Sequence, residues 1–352
     1  MGDDLAMQRA IDLAQQARRV APPNPWVGCV LVRDGAIVGE GDTAAPGGPH
    51  AEIVALRAAG ERARNATAYV TLEPCAHHGR TGPCADALVE AGVARVVLGL
   101  EDPDPQVAGR GVERLRAAGV DVEVGVGAGA VHRQLEPYLH HRRTGRPYVV
   151  GKLAQSLDGR VLVGDGSPRW LTGAAARAGG HELRADSQAI VVGSGTALAD
   201  HPALTVRDVV APPLAPPLRV LLDRRGRVAA RGPLFDPSLA PTLVVTSESA
   251  GAAAVDGWLA AGAKVERAES LDGALEVMGR FGVLQALVEG GPTLLDAFAE
   301  AGRLDRLTLY VAPVVLGAAG RRGLSCASEW RMVATRGIGA DVRIDCEPAG
   351  EG

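Results

Sequence analysis

Apolar and polar residues alternate along this chain with two periods, which predict alternating helices and strands. Over residues 4–19, Leu5, Ile11 and Leu13 recur at helical spacing against Gln8, Gln15 and Arg18. Pro22-Pro23-Asn24-Pro25 ends that helix. Val27–Val32 and Ala36–Val38 flank Arg33-Asp34-Gly35, a glycine-containing hairpin turn. A helix is expected over His50–Gly60, a strand over Ala68–Leu72, a helix over Cys84–Ala91 and a strand over Arg95–Leu100. Further helices are expected over Gly109–Gly119 and Val131–His141. Arg142-Arg143-Thr144-Gly145-Arg146-Pro147 reads as a polar hinge and sets a domain boundary, 1–145 against 146–352. Beyond it, strands are expected near Tyr148–Leu153, Ala189–Val192, Arg219–Asp223, Thr242–Thr246, Leu284–Val288 and Leu307–Val315. Helices are expected near Ala174–Ala185, Ala252–Ala261, Leu271–Phe281 and Thr293–Ala301, and the proline-rich stretch Val206–Pro217 reads as a loop. The fold class is α/β in both halves.

Composition narrows the function classes. The 352 residues suffice for two domains with their own cores. Through Arg146 there are 16 basic and 18 acidic residues, and after it 21 and 23, so no half carries the basic excess of a nucleic-acid binder. No apolar run is long enough to span a bilayer. Five cysteines at irregular spacing do not form a disulfide framework, so a reducing cytoplasm is expected.

Candidate chemistry concentrates in the first half. His50, Cys75 and Cys84 are one imidazole and two thiols, the donor set of a catalytic zinc that keeps a fourth corner for water. Glu52, two residues after the histidine, can carry a proton from that water to a leaving amine, so the arrangement matches zinc deaminases. The step from Cys75 to Cys84 is nine residues, longer than the three of the general pattern. Three protein ligands suffice, so His77 and His78 read as loop residues. Cys29 lies in an apolar strand and is expected in the core, with Cys326 and Cys346 as structural or exposed thiols. Gly125-Val-Gly-Ala-Gly-Ala130 fits a loose dinucleotide fingerprint but closes no βαβ unit with a suitable acidic residue, and is set aside. Glu289-Gly290-Gly291-Pro292-Thr293 is the better phosphate site, since a strand ends and a helix begins there. Lys152 is one of only two lysines in a chain rich in arginine, which suggests a place for a compact point charge.

Pro23-Asn-Pro-Trp-Val-Gly28, His50-Ala-Glu52, Thr71-Leu-Glu-Pro-Cys75, His77-His-Gly-Arg-Thr81 and Asp102-Pro-Asp-Pro-Gln-Val-Ala-Gly-Arg-Gly111 together resemble the bifunctional riboflavin-biosynthesis deaminase/reductase family. The second half continues the likeness with Lys152-Leu-Ala-Gln-Ser-Leu-Asp-Gly159, Trp170-Leu-Thr172, Leu198-Ala-Asp200, Pro202-Ala-Leu-Thr-Val-Arg207 and Val288-Glu-Gly-Gly-Pro-Thr293.

The resemblance implies a cytidine-deaminase-like α/β/α layer followed by a dihydrofolate-reductase-like α/β domain. It implies deamination of a diaminopyrimidine ribosyl 5′-phosphate with Zn²⁺, then NADPH-dependent reduction of the ribosyl group to ribityl. It also implies a homodimer through the reductase half. On this resemblance Glu52 and Lys152 are catalytic and His50, Cys75 and Cys84 hold the metal. Asn24, Arg80, Asp102, Pro168, Arg184, Leu204, Arg207 and Glu289 meet the substrate. Ala154, Trp170, Thr196, Asp200 and the run Gly291, Pro292, Thr293, Leu294, Leu295, Asp296 and Ala297 meet the cofactor. Two positions depart from the family: Thr43 stands where many members have histidine, and Pro168 where many have serine. The rival reading is a nucleoside or nucleic-acid deaminase with an accessory domain, against which the balanced charge counts. A non-catalytic zinc protein would have no use for Glu52.

Overall fold

A computed structural model describes residues 1–76, 82–161 and 170–350. The chain divides into two compact units, Met1–Gly145 and Arg146–Gly352.

The first unit runs α1 (Asp3–Ala17), β1 (Gly28–Arg33), β2 (Ala36–Asp42), α2 (Ala51–Ala59), β3 (Thr67–Leu72), α3 (Cys84–Glu90), β4 (Arg95–Leu100), α4 (Arg110–Ala117), β5 (Asp121–Val124) and α5 (Ala128–Thr144). Its sheet has the order β2-β1-β3-β4-β5. Strands β3, β4 and β5 are parallel, and β1 pairs antiparallel with both its neighbours. Val30, Leu31, Val70, Val97 and Leu98 are fully buried in it, which is why these strands read as near-continuous apolar runs. Cys29 is buried with them. On α1 the apolar stripe Met7, Ala10, Ile11 and Ala14 faces inward, while Leu5 is 63% exposed. Trp26 is buried and donates its indole N–H to the Gln134 carbonyl at 3.1 Å.

The expected hinge at Arg142–Pro147 is corrected in part. Helix α5 continues through Thr144 and stops at Gly145, whose φ of 71° takes the left-handed turn that ends helices. Arg142 and Arg143 are polar because they lie on the helix surface, not because the backbone is irregular there. The short edge strand β5 carried too weak an apolar signal to be read.

The second unit holds β6 (Tyr148–Ser156), β7 (Arg160–Val161), α6 (Ala174–Ala185), β8 (Ala189–Gly193), α7 (Ser194–Asp200), β9 (Leu218–Leu222), β10 (Thr242–Thr246), α8 (Ala252–Ala260), β11 (Lys264–Arg267), α9 (Leu271–Arg280), β12 (Gln285–Val288), α10 (Pro292–Glu300), β13 (Arg306–Ala312), β14 (Arg321–Arg322), β15 (Trp330–Ile338) and β16 (Asp341–Pro348). Nine strands form one sheet in the order β11-β10-β9-β8-β12-β6-β13-β16-β15. It is parallel from β11 to β13, and the hairpin β15–β16 closes it antiparallel. Three apolar clusters of described residues pack on it: one joins Leu275, Met278, Leu295 and Phe298, another Trp258, Phe235, Leu221 and Val244, and a third Tyr148, Val150, Leu183 and Tyr310. Each such side chain contributes about 1.5–3 kcal/mol by leaving water. In a parallel sheet the strand ends open on one edge, which is where ligands bind.

Candidate functional sites

In the first unit the chain returns to one place three times. His50 is the N-cap of α2, Cys75 follows the end of β3, and Cys84 opens α3. Their ligand atoms lie within 4.8 Å of one another. His50 Nδ1 is 3.7 Å from Cys75 Sγ and 3.4 Å from Cys84 Sγ. A zinc tetrahedron with bonds of about 2.0 Å to nitrogen and 2.3 Å to sulfur has N–S edges of about 3.5 Å. The donor set therefore fits zinc both in chemistry and in size. The Cys84 backbone N–H donates to Cys75 Sγ at 3.4 Å, so the start of α3 supports the thiolate. Hydrogen bonding from Cys84 and from the His50 ring pulls the Cys75 thiol below its ordinary value against its burial, while the Cys75 sulfur and burial push Cys84 up. Glu52 is 3% exposed, and burial, with Cys75 adding to it, pushes its carboxyl up to about 7. A carboxyl poised near neutrality can both take and give a proton.

Around this centre the sequence-expected contacts are placed unevenly. Asn24 lies half-buried in the turn before β1. Asp102 follows β4 and is buried. Its carboxylate accepts from Tyr138 Oη at 3.2 and 3.1 Å and from the Asp104 N–H at 2.9 Å. Burial pushes the Asp102 carboxyl up, against the pull of those donors. Arg142 stacks over the Tyr138 ring at 4.9 Å and lies 3.3 Å from Asp104. The Thr43 hydroxyl is committed to the Val27 backbone, accepting its N–H at 3.0 Å. Arg80, His77 and His78 lie outside the described residues, as does Pro168.

Glu73, which the sequence reading passed over, organises this site. Its buried carboxylate accepts four backbone N–H groups: Asp102 at 3.1 Å, Gly109 at 3.0 Å, Gly111 at 2.8 Å and Val112 at 3.1 Å. It thereby satisfies the first turn of α4 and ties the Asp102 loop to the strand end that carries Cys75. Gly111 allows the approach, because a Cβ there would fall 2.1 Å from the Pro74 carbonyl oxygen.

In the second unit the expected residues gather at the C-terminal edge of the parallel strands. Lys152 and Ala154 lie on β6, with Thr308 and Tyr310 of β13 opposite them. Gly151 pairs with Val288, which puts Lys152 level with Glu289. Glu289 is buried and accepts Arg184 Nε at 2.9 Å. Burial alone would raise the Glu289 carboxyl, but Arg184 and Lys152 outweigh it and hold it below the usual value. Arg184 Nη1 also donates to the Thr205 carbonyl at 2.9 Å. Arg207 donates its N–H to His181 Nδ1 at 3.2 Å. Leu204 is buried at φ 51°, a left-handed backbone that costs a non-glycine residue on the order of 1 kcal/mol. The surrounding bonds hold that loop in place.

The cofactor candidates separate into two kinds. Gly291 caps α10 with no side-chain hydrogen bond, and its N–H meets Thr196 Oγ1 at 3.0 Å. A Cβ on Gly291 would meet nothing nearer than 3.7 Å, so this strand-to-helix turn leaves open space at a helix N-terminus, the kind of place that suits a phosphate. Pro292 opens α10, and Thr293 accepts Arg321 Nη2 at 2.7 Å. Leu294 packs under Gly290, Ala297 is exposed, and Asp200 is exposed at the end of α7. Trp170 is 73% exposed, with Arg177 over its ring at 4.9 Å. Two members of the run do not offer their side chains. Leu295 is fully buried against the sheet, and Asp296 is taken up by Ser325, accepting its N–H at 2.8 Å. Helical periodicity turns Leu295 to the core, whereas Asp296 lies at the surface and is held by the Ser325 turn.

Comparison with known proteins agrees with this picture. Residues 147–342 match the RibD C-terminal domain, and residues 2–100 match the cytidine and deoxycytidylate deaminase zinc-binding region. The riboflavin biosynthesis protein RibD of Escherichia coli is 42% identical, with 97% of this chain and 98% of that protein covered. The Haemophilus influenzae protein of the same name is 38% identical over 99% of this chain and 98% of its own length. The solved structure of Acinetobacter baumannii RibD superposes with a TM-score of 0.91 at 38% identity, covering 99% of both chains. A Thermotoga maritima deaminase/reductase structure superposes with a TM-score of 0.84 at 32% identity, again covering 99% of both. With a zinc-binding deaminase half and an NADPH-using reductase half in one polypeptide, the chain belongs to the RibD family of bifunctional riboflavin-biosynthesis enzymes.

Proposed function

We propose that residues 1–145 form the deaminase, acting on 2,5-diamino-6-ribosylamino-4(3H)-pyrimidinone 5′-phosphate, and residues 146–352 the reductase. The convergence of His50, Cys75 and Cys84 beside a buried Glu52 carries the first assignment. These three residues would hold a zinc ion, which when bound would supply the Lewis acidity that makes water nucleophilic near neutral pH. Glu52 takes a proton from the attacking water and delivers it to the departing amine, so ammonia leaves neutral and the ring carbon keeps the oxygen. Asn24 hydrogen-bonds the pyrimidine edge and Asp102, oriented by Tyr138, holds the substrate beside it. Arg80 supplies the cation for the 5′-phosphate.

In the reductase, Lys152 and Glu289 face the ribose, and Arg184 and Arg207 hold the substrate phosphate, with Leu204 and, by the family resemblance, Pro168 as further substrate positions. NADPH would lie along Ala154, Trp170, Thr196, Asp200 and the turn at Gly291–Ala297 and would supply the hydride; ribose C1′ takes it as the C1′–O4′ bond opens, and O4′ takes a proton. The Arg184–Glu289 pair beside Lys152 supports this reading. The partner is thus a small pyrimidine nucleotide, with no nucleic acid engaged. We also propose a homodimer through the second unit, whose sheet leaves the long strand β15 at an open edge. No described helix is long and apolar enough to cross a membrane, and the ligand thiols suit a reducing cytoplasm.

Incubating the protein with the diaminopyrimidine nucleotide tests the assignment. Without NADPH the product should be the deaminated ribosyl compound, and with NADPH the ribityl compound. Release of ammonia from cytidine or single-stranded DNA instead would favour the rival deaminase.

A further inference from the structure

The loop after α7, which carries Leu204 and Arg207, has a backbone that does not hold itself. His201, Leu204 and Asp208 have φ of 43°, 51° and 56°, left-handed values that side chains disfavour and that persist only when neighbours impose them. Three side chains do so, at alternate residues of the loop. Arg219 of β9 donates to the Ala203 carbonyl at 3.5 Å, and Arg184 of α6 to the Thr205 carbonyl at 2.9 Å. His181 of α6 accepts the Arg207 N–H on Nδ1 at 3.2 Å. His181 and Arg184 are three residues apart on α6 and so share a face. The activities above use Arg184 and Arg207, but they give the histidine between them no part.

Fixing the Arg207 N–H fixes the backbone from which its side chain leaves. We propose that His181 is a positioning residue of the reductase, which through this bond holds Arg207 in place for the substrate phosphate. The bond requires a neutral ring. An imidazole that accepts on Nδ1 carries its proton on Nε2. The charged groups around it are Arg184 on its own helix, Arg207 and Asp208 on the loop, and Glu289 after β12. Burial, with Arg184 and Arg207 adding to it, lowers the His181 pKa against the pull of Glu289 and Asp208, so the ring is neutral at pH 7. As pH falls through that lowered value, Nδ1 gains a proton and meets the Arg207 N–H donor to donor. The bond is therefore present at neutral pH and lost in acid.

The inference rests on the proposed part of Arg207 at the substrate phosphate, and the experiment separates the two. Reduction of the deaminated intermediate by NADPH would be followed on the full chain for the wild type, H181A, H181N and R207A. H181A should raise the KM for the nucleotide about fivefold, the worth of one hydrogen bond, with kcat and the KM for NADPH unchanged. H181N should restore most of that loss, because its side-chain oxygen falls near the place of Nδ1 and accepts the same N–H. Between about pH 7.5 and about pH 5.5 the nucleotide KM of the wild type should rise relative to that of H181N, since the ring titrates there and the amide does not. The substrate phosphate titrates alike with both proteins, so the ratio reports the ring. If R207A raises the nucleotide KM, the inference is overturned by an unchanged KM in H181A, by H181N no better than H181A, by a ratio that stays flat or falls in acid, or by equal rises in both KM values. If R207A leaves the nucleotide KM unchanged, the reading of Arg207 and the inference fall together.

Discussion

Arg184 and Glu289 form a buried ion pair at the proposed substrate site of the second unit. Glu289 is nearly inaccessible and Arg184 mostly so. Removing Arg184 takes from the buried carboxylate its hydrogen-bonded partner and leaves Lys152 as the chief remaining cation, which costs about 3 kcal/mol. Arg184→Met should therefore lower the melting temperature of the second unit while leaving ammonia release intact, as calorimetry and an ammonia assay would show. The pH dependence has a definite sign. The Glu289 carboxyl is held below its ordinary value, so the pair's contribution is complete above about pH 4.3, the unfolded glutamate value, and fades as pH falls through the lower folded value. The stability gap between wild type and Arg184→Met should shrink below that pH, and a gap that widened there would contradict the assignment. At this scale the sequence was most legible where the chemistry is local. His50, Glu52, Cys75 and Cys84 announce themselves by residue type and spacing. Glu73 did not, because its partners are backbone amides 29 to 39 residues away that no side-chain pattern reveals.

That glutamate links β3 and α4 into one mechanical piece. Its carboxylate replaces the missing intrahelical partners of α4 and fixes the loop that presents Asp102. Glu73→Gln keeps the shape but leaves one oxygen to accept where two did. It should cost the first unit about 2 kcal/mol, since hydrogen bonds to charged groups are worth about 1.5–3 kcal/mol each. Deaminase turnover should fall with it, while reduction of the deaminated intermediate is unchanged. Gly111→Ala should do similar damage by pushing a methyl group onto the Pro74 carbonyl. Denaturant unfolding with the two activities measured side by side would check both. Among whole elements, those with strong periodicity were readable, and α6 and β10 fall on the expected residues. Helix α7 was missed because seven residues opening Ser-Gly-Thr give no periodic stripe. The hairpin β15–β16 was missed because β15 is mostly exposed on both faces and shows no alternation.

The whole molecule is two compact units, and each proposed site draws on one of them. The candidate metal ligands and Glu52 all precede Gly145, and the reductase candidates all follow Arg146. A chelator that strips zinc should therefore abolish ammonia release and spare NADPH oxidation when the deaminated intermediate is supplied. The division into units was readable from the two successive α/β patterns and from the charged stretch between them. What that stretch concealed was that most of it is helix, since surface helix and irregular linker share the same polar composition. The central claim is that Glu52 moves the proton at a metal site independent of the reductase. Its most direct test is Glu52→Gln, assayed for zinc content, for ammonia release, and for NADPH oxidation with the deaminated intermediate. Retained zinc, lost ammonia release and unchanged NADPH oxidation are expected, whereas ammonia release that survives, or two activities that fall together, would contradict the account.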